Sequence, residues 1–216
     1  MMLPAVIGGA TVGLGLLAWW ARKQSSTKLE IVNLLAEAPE SKRSKRIAPV
    51  DAVVLHQMSF SRGNDLLRYK KVTSHFVIAP NGAVGQLHPV NARLSSSHGF
   101  NGRSVAIEFA GNLQSAKKRW WRPDEFGRDY LSPAQVESGR RLLRHLHTLG
   151  VRYVFAHRQS FADRQNDPGP EIWSKVGEWA IAELGMSDGG PGYFIDTGYP
   201  IPNEWRSFDP LTPGDA

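Results

Sequence analysis

The chain has 216 residues, which suits one domain of ordinary size with tails. A hydrophobic fraction of 41% is enough for a real core. The absence of cysteine excludes a disulfide framework and any thiolate metal site, so a metal would have to be held by His and carboxylates. A net charge of +6 favours an anionic partner, whether a polymer, a membrane surface or nucleic acid.

Met1 to Ala21 carry no charged side chain, and Arg22-Lys23 follow at once. About 20 apolar residues span a bilayer core, the glycines at 8, 9, 13 and 15 are tolerated there, and Trp19-Trp20 suit the interface. The expectation is a transmembrane anchor over residues 1–21. A cleaved signal peptide is the alternative, but it would need a basic first region and a small-x-small cleavage site, neither of which this segment offers convincingly. The basic C-terminal flank favours a cytoplasmic domain, although long domains translocate despite such charges. Residues 22–46 read as a basic linker, in which Arg22, Lys23, Lys28, Lys42, Arg43, Lys45 and Arg46 outweigh Glu30, Glu37 and Glu40. Such a cluster suits anionic lipid headgroups, nucleic acid or plain solvation, and Leu29–Ala38 has room for one or two helical turns.

The compact domain is expected from Ile47 onward. Ala52–His56 and Ser104–Phe109 are apolar strands, and Gly63–Lys71 reads as helical. Ser74–Ala79 and Ala83–Leu87 flank Pro80-Asn81-Gly82 as a hairpin. Gln114–Tyr130 is polar, aromatic and irregular, a surface loop whose Lys117–Trp121 run is suited to glycan stacking or a membrane. A helix starts at Ser132 as N-cap, with Pro133 next and Gln135 completing a capping box. Val136, Leu143, Leu146 and Leu149 recur at helical spacing, and Gly150 ends the helix. Val151–Ala156 is a strand, and Glu171–Leu184 is a helix with Ile172, Val176, Trp179 and Ala180 inward. Alternating strands and helices indicate an α/β domain with a mixed central sheet flanked by helices. From Ser187 the chain is rich in Gly, Pro and aromatics and reads as an extended strap.

Three fragments carry the chemistry: VVLH at Val53–His56, FAH at Phe155–His157, and NDPGP at Asn166–Pro170. His56 and His157 each close an apolar strand, and Asp167 sits on a Pro/Gly turn ten residues after His157. Two imidazoles and a carboxylate leave a fourth tetrahedral position open, the pattern of a catalytic zinc rather than a structural one. His75 alternates inward with Val77 as a hydrogen-bonded core histidine, while His88, His145 and His147 read as surface or packing residues.

The stretches VVLHQM, SHFVIAPNGAVGQLHP, SSHGFNGRSVAIEFAGN, FAHRQ and NDPGP, in this order, resemble the zinc-dependent N-acetylmuramoyl-L-alanine amidases. That group includes phage lysozyme-amidases, recycling-type bacterial amidases and animal peptidoglycan recognition proteins. The resemblance covers about Val50 to Trp179. It implies a mixed sheet flanked by helices, with Zn2+ held by His56, His157 and Asp167 and with Glu108 as general base. It places His98 and Asn112 at the substrate groove. Many members carry Lys two residues before the third ligand; here Gln165 stands there beside Arg164, and one of the two is expected to donate to the oxyanion. The implied activity is hydrolysis of the amide between N-acetylmuramic acid and L-alanine, in phage lysis or bacterial wall remodelling. The implied partners are peptidoglycan and, through the N-terminal helix, a membrane of the bacterial envelope or phage virion. A non-catalytic peptidoglycan-binding module of the same fold is the alternative, and no nucleic-acid partner is expected.

Overall fold

The computed structural model describes residues 29–113 and 128–209. Among the described residues, six strands form one mixed sheet in the order β1-β5-β4-β7-β3-β8: β1 Ile31–Asn33, β3 Ala52–Gln57, β4 Phe76–Ile78, β5 Val84–Gln86, β7 Ser104–Phe109 and β8 Tyr153–Ala156. Two short strands, β2 Ser44–Lys45 and β6 Ala92–Arg93, pair separately. Only β4 and β5, the expected hairpin, run antiparallel within the large sheet. The central strands β4, β7, β3 and β8 are all parallel, so their C-terminal ends share one edge.

Strand periodicity of two sorts the sheet's faces. Val53, Leu55, Val105, Ile107, Phe109, Val154 and Ala156 point into the main core. There they meet α1 Pro133–Thr148 through Leu142, Leu143 and Leu146, and the second helical segment through Ile172, Trp173, Val176 and Ala180. That segment is α2 Pro170–Ile172, a π turn Trp173–Gly177 and α3 Glu178–Leu184. Burying each such large apolar side chain contributes ~1.5–3 kcal/mol. The capping box of α1 is formed as expected: Ser132 Oγ accepts from the Gln135 amide, and Gln135 Oε1 accepts from the Ser132 amide. Leu149 is exposed instead of inward, because the helix ends one residue before it.

The other face holds Ala52, Val54 and Phe155, covered by Phe100, Tyr193 and Ile195. The next residues along this face are His56, Glu108 and His157.

Three expectations are corrected. Residues 31–33 add an edge strand parallel to β5 rather than helical turns. Unpaired backbone groups on β5 outcompete a weak helical tendency, and Asn33 Oδ1 closes the strand by accepting from the Leu35 amide. The basic stretch before residue 47 is, over its described part, fastened to the fold. Arg43 donates to Leu35 O, Ala38 O and His88 Nδ1; Arg46 donates to Asn101 O, Ala92 O and Ser104 O. Gly63–Lys71 forms only a 3-10 turn at Leu66–Tyr69, where Leu66 and Tyr69 are inward at a spacing of three and Leu67 is exposed. The C-terminal strap is extended as expected but ends in α4 Asn203–Arg206, which buries Trp205 in the main core. Among the described residues no helix is long and apolar enough to cross a membrane. The expected anchor at residues 1–21 and the Lys117–Trp121 run lie outside them.

Candidate metal centre and active site

His56 and Glu108 are Cα partners in the β3–β7 ladder, on the face away from the helices. His157 follows β8 directly, one step beyond the Leu55–Ala156 pair. The three side chains therefore gather where the C-terminal ends of adjacent parallel strands open to a crevice, the usual ligand position in such sheets. Asp167 arrives from the turn before α2. Its Oδ2 lies 3.3 Å from His56 Nδ1 and 3.0 Å from His157 Nδ1, and its Oδ1 accepts from the Gln57 amide at 2.9 Å. The two imidazoles stand edge-on, with ring centroids 4.6 Å apart. Candidate ligand atoms of His56, His157 and Asp167 lie within 4.8 Å of one another, and all three residues are buried.

This donor set fits Zn2+: two imidazole nitrogens converge on one carboxylate oxygen, and among the described residues no fourth His, Cys or carboxylate joins the cluster. Electrostatics agree. Burial pushes the Asp167 carboxyl up, but the two imidazoles outweigh it and hold the group well below the usual carboxylate range. Burial and the neighbouring His56 lower His157 to about 4, leaving it a neutral ring at neutral pH.

Glu108 differs from Asp167. Its Oε2 is buried without a hydrogen-bond partner. Burial pushes its carboxyl up to about 7, against the pull of His56. A buried carboxyl with a raised pKa beside a metal-type cluster suits proton transfer.

These residues line a cavity of about 460 Å³, with Arg164, Arg62, Phe60 and Lys71 along its walls. Of the two candidate oxyanion donors, Arg164 lines the cavity, whereas Gln165 is exposed and does not. Asn112 is buried and off the cavity lining; its amide donates to Asp129 Oδ2. His98 contacts His157, with its Nδ1 2.9 Å from His157 Nε2. His75 is the expected core histidine: Nδ1 accepts from the Ala106 amide, Nε2 faces Ala92 O, and burial lowers it to about 3. His88 is a packing residue, fully buried. Sequence reasoning missed Ser97, whose Oγ lies 3.0 Å from His56 Nε2; its only signal was adjacency to His98.

The chain resembles several known proteins. A peptidoglycan recognition protein of Bombyx mori is 30% identical over 123 residues, covering 53% of each chain, so this chain spans about half the length of that relative. An N-acetylmuramoyl-L-alanine amidase endolysin, LysCS of Clostridium intestinale, superposes with a TM-score of 0.53 at 20% identity, covering 75% of this chain and 99% of its own. Drosophila peptidoglycan recognition protein SA superposes with a TM-score of 0.55 at 16% identity, covering 78% and 99%. At these identities the superpositions show a shared fold. The family profile for N-acetylmuramoyl-L-alanine amidase matches residues 46–170, more than half of the sequence, and spans every ligand candidate and Glu108; the chain belongs to that family.

Proposed function

We propose that the protein is a zinc-dependent amidase that hydrolyses the bond between N-acetylmuramic acid and L-alanine in peptidoglycan. The carrying observation is the pairing of Glu108, raised to about 7 with an unpartnered oxygen, with the His56–His157–Asp167 cluster on the same sheet face. His56, His157 and Asp167 would hold the metal, which when bound supplies Lewis-acid polarisation of the amide carbonyl and acidifies the attacking water. Glu108 takes the proton of that water and returns it to the leaving amine. Arg164, on the cavity wall, supplies positive charge to the developing oxyanion, where one donor is worth ~3 kcal/mol in other hydrolases. The apolar stretch at residues 1–21 would tether the enzyme to a membrane of the bacterial envelope or a phage virion.

The test is digestion of purified peptidoglycan by the full chain, following newly exposed L-alanine amino groups with and without a zinc chelator. Release that the chelator abolishes, and that Glu108→Gln lacks, supports the amidase. Zinc-dependent binding without release favours the peptidoglycan-binding alternative, consistent with the recognition-protein relative. Release unaffected by chelation overturns the metal assignment.

A further inference from the structure

Each imidazole ligand has a second nitrogen, and both second nitrogens meet the same turn. His56 Nε2 lies 3.0 Å from Ser97 Oγ, and His157 Nε2 lies 2.9 Å from His98 Nδ1. Ser97 and His98 are consecutive residues at the start of the 3-10 turn His98–Phe100. We propose that they are positioning residues: a paired outer shell that accepts the Nε2 protons of His56 and His157 and so frees both Nδ1 lone pairs for a cation beside Asp167. It rests on the metal reading above.

A neutral imidazole carries one proton, and the partner of one nitrogen decides where it sits. Asp167 Oδ2 lies within reach of both Nδ1 atoms and, with no cation present, draws those protons to itself. A cation that takes the Nδ1 lone pairs moves each proton to Nε2. Both rings are buried, so an Nε2–H without an acceptor would be costly there. Ser97 Oγ and His98 Nδ1 stand where those acceptors are needed.

The turn is built to hold them still. Asn101 Oδ1 accepts from the Ser96 and Ser97 amides at 3.0 and 2.6 Å. Ser160 Oγ donates to Ser97 O at 3.0 Å. Arg46 ties Asn101 O to the rest of the domain. Phe161 stacks on the His98 ring at 3.6 Å. The C-terminal strap closes on Gly99, where an added Cβ would lie 2.2 Å from Asp196 Oδ2. His98 itself sits at φ 47, a backbone conformation uncommon for a non-glycine residue and kept only where the surroundings impose it.

The test measures zinc affinity of the full chain by competition with a chromophoric chelator, for the wild type, Ser97→Ala, His98→Leu and His98→Asn. His98 is exposed, so its variants leave the core intact. Thermal unfolding of each zinc-free protein verifies folding. Ser97→Ala and His98→Leu should each weaken zinc binding tenfold to a hundredfold. His98→Asn, whose Oδ1 can accept near the Nδ1 position and whose backbone tolerates positive φ, should recover most of the loss. In the zinc-loaded, ¹⁵N-labelled protein, the Nε2 proton of His157 should exchange faster in His98→Leu, and that of His56 should exchange faster in Ser97→Ala. Affinities within twofold of wild type in Ser97→Ala and His98→Leu overturn the proposal. Equal losses in His98→Leu and His98→Asn overturn it too, since Asn restores an acceptor that Leu lacks. A wild-type chain that binds no zinc overturns instead the metal reading beneath it.

Discussion

His56 and Glu108 face each other across the β3–β7 ladder, so a single strand register fixes the spacing between the candidate metal ligand and the proposed proton acceptor. A slip of one residue in either strand would turn one of the two side chains to the helix face. The pair is thus set by backbone hydrogen bonds in the middle of the sheet rather than by a flexible loop.

Replacing Glu108 by Gln keeps the shape and removes the proposed base. The expected outcome is a fall in the rate of L-alanine release of about 10²–10⁴-fold in a variant that still binds zinc. A variant that retains wild-type turnover would show that another group moves the proton.

The raised Glu108 pKa also has a stability consequence in the metal-free protein. Its ordinary value is 4.5 and its folded value is about 7. Between these the native state holds the proton more firmly than the unfolded state, so stability falls as pH rises through that window. Glu108→Gln has no carboxyl to ionise, and at pH 8 it should exceed the wild type by on the order of 3 kcal/mol, while the two converge near pH 4. Urea unfolding at both pH values checks this. A bound dication would pull the carboxyl down, so the acid limb of activity should lie no higher than about 7.

Arg164 and Gln165 can be told apart by kinetics. Arg164 lines the cavity and Gln165 does not. Arg164→Ala should lower kcat by ~10²–10³-fold, the usual cost of losing an oxyanion donor. Gln165→Ala should stay within about twofold of wild type. The reverse pattern would reassign the donor.

Gly139 lets α1 approach the sheet directly behind the site. A Cβ there would lie 2.8 Å from Phe109 Cζ, and Phe109 follows Glu108. Valine gains only a few tenths of a kcal/mol in helix propensity over glycine, whereas overpacking costs ~1–3 kcal/mol. Gly139→Val should therefore lose about 2 kcal/mol in urea unfolding, and a neutral result would mean that Phe109 has room to rotate.

The central site was legible in the sequence because strand periodicity carries it. His56 and His157 each end an apolar run, and parallel pairing aligns such ends, whereas the part of Glu108, one residue before the end of β7, came from the resemblance to the amidases. The α1 capping box was legible for the same kind of reason, a local pattern with a local cause. What depended on distant partners was not legible. Residues 31–33 became a strand because β5 lacked a neighbour, which nothing in LEIVN announces. Arg164 rather than Gln165 reached the cavity because a 3-10 turn, Ala162–Arg164, sets which of two adjacent side chains faces inward. Ser97 looked like any serine until the fold brought it to His56 across 41 residues.

The fastening of residues 29–46 carries a mechanical consequence. A pull on the chain at residue 29 enters the domain through β1, which is held by three residue pairs to β5. It then passes along the segment to Arg43 and Arg46. Arg46 grips Asn101, whose side chain holds the amides of Ser96 and Ser97. Any tension on an upstream tether is thus borne by the same residues that steady His56, and a fragment trimmed to residue 47 would lose that support together with the sheet's edge.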